Sequence, residues 1–214
     1  LFEKLMTNSK LARISELRAI ARILHNVFFY EPTTENLHLL EQIIITDEWP
    51  QLANSEEAQQ GLTLLRAWAT SPESQKALKL EFGRLFYGPH APTSAPWGSV
   101  YTDEQHLLNG VTTQALMRFF TATGISFQLD SNQPLDHVGL IFAALDVLLE
   151  RMEQDETNTL VKHQLIELLE VHLQPWVSLF LDSVIEHSNT DLYKGFAYIS
   201  KSYIETLNSF LAVA

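Results

Sequence analysis

The run Gln133-Pro134-Leu135-Asp136-His137-Val138-Gly139-Leu140-Ile141-Phe142-Ala143-Ala144-Leu145-Asp146-Val147-Leu148-Leu149-Glu150 decides the fold. Leu135, Val138, Phe142, Leu145 and Leu149 recur at steps of three or four, which places them on one face of an α-helix that belongs in a core. Asn132, Gln133 and Pro134 mark its start, because a proline in the first turn gives up an amide that has no intrahelical partner anyway. Asp136 and His137 are therefore expected in the first turn, where a carboxylate suits the positive end of the helix and a protonated histidine does not.

The same periodicity extends in both directions. Asn8-Ser9 offers a cap for a helix carrying Leu11, Ile14, Leu17, Ala21, Leu24 and Phe28. Pro32 ends it, Thr33 or Thr34 caps the next, and Trp49-Pro50 stops that one. Asn54 with Glu57 forms a capping box for a third helix, and Ser71-Pro72 opens a fourth. Beyond residue 101 the pattern predicts helices restarting near Thr112, closing at Gly124, and continuing through Leu160–Leu169, Trp176–His187 and Asn189–Phe210. No set of alternating segments and no internal repeat is present, so the expectation is an all-α single-domain bundle of about nine or ten helices spanning residues 1–214.

One stretch breaks the helical pattern. In Glu81-Phe82-Gly83-Arg84-Leu85-Phe86-Tyr87-Gly88-Pro89-His90-Ala91-Pro92-Thr93-Ser94-Ala95-Pro96-Trp97-Gly98-Ser99-Val100-Tyr101 a helix halts at Gly88-Pro89. Pro89, Pro92 and Pro96 then hold the backbone extended, giving a stiff loop that carries aromatic side chains.

With 26 acidic against 14 basic residues, the formal charge of −12 argues against nucleic-acid binding and favours cationic partners or simple solubility. The absence of cysteine excludes disulfides and thiolate chemistry. No apolar run approaches the ~18 residues of a membrane span. The first six residues are too short and charged for a secretory signal, the lack of an initiator Met points to a trimmed start, and a cytoplasmic location is expected. No phosphate loop, Gly-x-Ser-x-Gly or His-Glu-x-x-His pattern occurs, so neither a metal, a cofactor nor a catalytic residue is assigned.

Glu81, Arg84-Leu85-Phe86, Gly88-Pro89 and Pro96-Trp97-Gly98-Ser99-Val100-Tyr101, followed by Gln133-Pro134-Leu135-Asp136-His137-Val138-Gly139 and by His172-Leu173-Gln174-Pro175-Trp176, resemble in order and spacing the motifs of the TorD/DmsD family of redox-enzyme maturation chaperones, the third motif being that of DmsD-like members. The resemblance covers roughly residues 11 to 203. It implies an all-helical TorD-like fold and a non-enzymatic cytoplasmic chaperone. Its partner would be the twin-arginine leader peptide of a molybdenum-cofactor oxidoreductase subunit, of the dimethyl sulfoxide or trimethylamine oxide reductase class, bound before export.

The peptide site so implied comprises Leu85, Phe86, Pro96, Trp97, Asp136 and His137, supported by Glu81, His90, Ser99 and Tyr101. Pro96 and Trp97 beside Phe86 would wall an apolar segment, and Asp136 or Glu81 would meet its cationic end. Each has a plainer reading. Trp97 can pack back onto the helices, Glu81 can pair with Arg84, Asp136 can serve its own helix end, and Ser99 and Tyr101 can fix the loop. His90 departs from the large aromatic of some relatives. Replacing Trp97 or Asp136 is expected to weaken peptide binding with little change in melting. A small helical hydrolase built on Asp136 and His137, and an adaptor subunit of a redox complex, stand as alternatives, and both a monomer and a helix-exchanged dimer are compatible with the sequence.

Overall fold

The computed structural model describes residues 2–46, 49–50, 52, 55–88, 91–103, 108–129 and 132–213, with the side chains of 2–9 left aside. Among the described residues ten α-helices follow one another: α1 (Phe2–Phe29), α2 (Thr34–Ile45), α3 (Glu56–Thr70), α4 (Gln75–Phe82), α5 (Gly98–Thr102), α6 (Val111–Thr123), α7 (Val138–Gln154), α8 (Thr159–Glu167), α9 (Gln174–His187) and α10 (Asp191–Val213). No strand occurs among the described residues, in agreement with the all-α expectation. Two π-helical segments, Gly83–Tyr87 and Leu168–Leu173, prolong α4 and α8 with wider turns.

Local chemistry sets the boundaries. Thr33, Ser55, Ser74 and Asn158 each accept the amide of the residue three positions on, a cap that contributes about 1 kcal/mol apiece. Gly124 closes α6 in the left-handed conformation, φ 66°. Several boundaries differ from the sequence reading. α1 runs through Asn8 and Ser9, since an apolar stripe of this length holds its helix together upstream of a usable cap. Ser55 caps α3, while Asn54 lies outside the described residues. Ser74, not Ser71-Pro72, starts α4, and α2 stops at Ile45, ahead of Trp49-Pro50. Most consequentially, α7 starts at Val138: His137 is its N-cap and Asp136 precedes it.

Two antiparallel helix pairs carry the packing, α1 against α7 and α3 against α10. In the first, Ile14, Leu17, Ala21, Leu24 and Phe28 bury fully against Ile141, Ala144, Leu145 and Leu148. Beside this apolar seam Arg18 bonds Asp146, Glu150 and Glu153, acids three and four residues apart on one stripe of α7. Burial opposes the charge of Arg18, but the three carboxylates outweigh it and raise its pKa. In the second pair the backbones approach closely at Gly61 and Gly195; a Cβ on either would sit 2.9 Å from Ile199 or Leu65. Between the pairs lies an aromatic centre in which Phe28 stands 5.8 Å from Phe86, 6.2 Å from Phe142 and 5.6 Å from Phe180.

Candidate functional site

Prolines 92 and 96 keep residues 91–97 from being helical, and the wide π turn before them leaves carbonyls without intrahelical donors. The loop supplies those donors itself. The Thr93 and Ser94 amides reach the carbonyls of Arg84 and Leu85 at 3.2 and 2.8 Å, folding the chain back on the π turn. Trp97 then meets His137 as an antiparallel bridge. The Val138 amide donates to the Pro96 carbonyl at 2.8 Å, and the Gly98 amide to the Asp136 carbonyl at 3.1 Å. Two segments forty residues apart in the chain are thereby joined through their backbones.

Asp136 is buried, and its carboxylate serves a helix other than its own. Oδ2 accepts the Ser99 amide in the first turn of α5 at 2.7 Å and the Thr113 hydroxyl of α6 at 3.0 Å. Oδ1 has no hydrogen-bond partner among the described residues. The same holds for the buried Trp97 Nε1, Ser99 Oγ and Gln133 Oε1. Four of the eight such atoms among the described residues thus lie in these two joined segments.

His137 is also buried. Its Nδ1 accepts the Gly139 amide at 3.1 Å, capping α7, and its ring stands edge-on to Trp97 (5.7 Å) and Phe29 (5.1 Å). Burial, aided by the neighbouring His25, lowers its pKa to about 3, so the imidazole is neutral and a good cap. His25 holds the Gly139 carbonyl at 2.8 Å and stacks on Phe29. Asp136 Oδ2 and His137 Nδ1 thus serve separate partners rather than one another.

The other expected residues separate into layers. Leu85 and Phe86 are fully buried in the aromatic centre, a correction to their expected place on a peptide-contacting wall: the wider π turn directs both inward. Pro96 is buried and Trp97 half-buried. Glu81 is 6% exposed and binds Arg84 through both oxygens, at 2.8 and 2.9 Å, while accepting the Asn189 amide at 2.6 Å. Burial alone would raise its pKa; Arg84 and the Asn189 amide prevail and lower it. Glu81 therefore ties α4 to the α9–α10 connection, and its charge is met internally. Tyr101 donates to the Ala95 carbonyl at 2.9 Å and lies flat on Trp176, 5.9 Å away. His90 lies outside the described residues.

Thr113, His25 and Phe29 were not singled out from the sequence. The spacing of His25 and Phe29, one turn apart on α1, was a usable signal, whereas nothing local marks Thr113 as a partner of Asp136. Among the described residues no helix is long and apolar enough to cross a membrane, and no group of histidines and carboxylates could hold a metal ion.

Comparison with known proteins places this arrangement. The family model described as nitrate reductase delta subunit matches residues 51–182. A Tat proofreading chaperone DmsD from Salmonella typhimurium is 32% identical over 181 residues, covering 85% of this chain and 83% of its own length. A chaperone protein TorD from Vibrio cholerae is 26% identical over 136 residues, covering 62% of this chain and 61% of its own. The crystal structure described as a redox enzyme maturation protein from Archaeoglobus fulgidus superposes with a TM-score of 0.52 at 19% identity, over 89% of this chain and 93% of that one, a likeness of fold. With more than half of its length matched by the family model and its signature segments joined in space, the chain belongs to the TorD/DmsD family of redox-enzyme maturation chaperones.

Proposed function

We propose that this chain binds the twin-arginine leader of a molybdenum-cofactor oxidoreductase subunit in the cytoplasm, of the dimethyl sulfoxide or trimethylamine oxide reductase class, and holds it during maturation without making or breaking bonds. The observation that carries this reading is the Trp97–His137 pairing, which gathers Pro96, Trp97, Asp136 and His137 into one locus with unsatisfied polar atoms on both segments. A leader that joins arginines to an apolar stretch needs carboxylate beside apolar surface. Half-buried Trp97, backed by buried Pro96, supplies the apolar wall, Asp136 the carboxylate, and buried, neutral His137 adds no repelling charge. Leu85 and Phe86 belong to the buried aromatic centre, while Glu81, Ser99 and Tyr101 hold the loop.

Calorimetric titration with a synthetic twin-arginine leader tests the reading, alongside the same peptide with both arginines replaced by alanine and another with its apolar stretch made polar. Saturable binding weakened by either change is the expected result. Equal heats from all three peptides would overturn it.

A further inference from the structure

The third sequence motif, His172-Leu173-Gln174-Pro175-Trp176, takes no part in the Trp97–His137 pairing. It lies across the junction of the second π segment and α9, and there it lines a cavity of ≈ 140 Å³. The walls are Trp176, His172 and Val171 on one side, Ala115 and Leu116 of α6 on the other, and Asp136 with Gly98 between them. The lining is chiefly apolar. Asp136 is 4% exposed, and its Oδ1 is the acceptor left without a partner.

Resting on the leader-binding reading above, we propose that this cavity takes the side chain of one arginine of the leader. A space of this size exceeds the ~30 Å³ share of one water several-fold and suits a long side chain. Its walls fit the arginine methylenes, and a single carboxylate oxygen fits the guanidinium. The indole of Trp176 gives a planar guanidinium an aromatic surface that a lysine ammonium uses less well. Trp176 is held in place from two sides: its Nε1 donates to the His172 carbonyl at 2.8 Å, and Gly98 alone makes room for it, since a Cβ there would stand 2.6 Å from that nitrogen.

The mouth gives the direction of the bound chain. Thr112, Val171 and Pro175 are exposed, so the cavity opens between α6 and the second π segment. Val171 and Leu179 are 60% and 56% exposed and, with Pro175 between them, form an apolar row four residues apart on successive turns. An arginine seated in the cavity would set the leader residues next to it along this row.

The test uses two variants that take no part in the Trp97–His137 pairing. Ala115→Leu fills the cavity, and Thr112→Trp covers its mouth from an exposed position, so the latter carries the test should the former unfold. Each is titrated with the intact leader and with leaders in which one arginine or the other is changed to alanine or to lysine. The expected result is a loss of about tenfold in affinity when one particular arginine is removed from the peptide, with lysine restoring only part of it. Both protein variants lose the same factor with the intact leader and nothing further with that alanine peptide. Variants that bind the intact leader like the wild type, or losses that add, would overturn the cavity assignment alone. A wild-type chain that binds none of the leaders would overturn the reading it rests on as well.

Discussion

Trp97 and His137 face each other across an antiparallel bridge with their rings 5.7 Å apart and at 86°. The bridge is made by backbone atoms, so the indole can be removed without breaking it. Trp97→Ala should therefore weaken leader binding by about tenfold or more, as expected for an aromatic anchor, while calorimetric and circular-dichroism measurements find the helix content unchanged. Unaltered affinity would assign Trp97 to packing.

The bonds of Asp136 argue for a loss of stability where the sequence reading expects unchanged melting. Its Oδ2 satisfies the Ser99 amide and the Thr113 hydroxyl, so Asp136→Ala leaves buried donors unpaired and should cost about 1–3 kcal/mol. Asp136→Asn keeps an acceptor at that position and should recover much of the stability but not the attraction for a cationic peptide. Chemical denaturation paired with titration separates the two effects.

Glu81→Ala removes both oxygens from Arg84 and the Asn189 amide and should also destabilise by about 1–3 kcal/mol. Because that charge is met internally, leader affinity of the folded fraction should stay within about twofold, a shift too small to reflect a lost direct contact. A large selective loss of affinity would return Glu81 to the peptide site.

The imidazole of His137, with its pKa lowered to about 3, is neutral in the fold yet protonates near pH 6.5 once unfolded. Between those values the unfolded chain binds the extra proton, so stability is present above pH 6.5 and declines as pH falls, by up to about 1.4 kcal/mol per unit from this group. His25 and His172, lowered by burial, act in the same direction. His137→Asn retains a cap acceptor for Gly139 and removes the titration, so its denaturation midpoint should depend less steeply on pH between 6.5 and 4.

Gly195→Ala should cost about 1–3 kcal/mol through overpacking, because its Cβ would meet Leu65 at 2.9 Å where α3 and α10 approach. Thermal melting measures this directly. Gly83→Ala meets nothing within 4 Å and serves as the matched control.

Helix existence was legible because long apolar stripes such as Ile14–Phe28 and Leu192–Phe210 admit one period only. The boundary before α7 was misread for a physical reason. Pro134 is compatible with a first helical turn, but Asp136 has a better use in capping α5, a partner thirty-seven residues away that no local pattern reveals. Likewise the motif around Leu85 and Phe86 was recognisable while its inward direction was not, since that depends on a π turn whose spacing leaves no mark in composition. Glu81 with Arg84, at helical spacing, could be anticipated as one of two readings, and the structure gives the internal pair.

Both π segments overlap a signature stretch: Gly83–Tyr87 holds Arg84, Leu85 and Phe86 and runs into the loop to Tyr101, and Leu168–Leu173 holds His172 and runs into Pro175 and Trp176. Each turn is wider than an α turn, and one residue corresponds to about 100° of rotation around a helix. Deleting a single residue there would restore ordinary winding and swing all that follows out of phase with its neighbours, turning Trp97 away from His137 or Trp176 away from Gly98. A substitution at one of these positions alters the contacts of a single side chain, whereas a one-codon deletion re-indexes a whole motif. The chain should accordingly tolerate exchange at the exposed positions of these segments, such as Tyr87 and Val171, far better than any change in length.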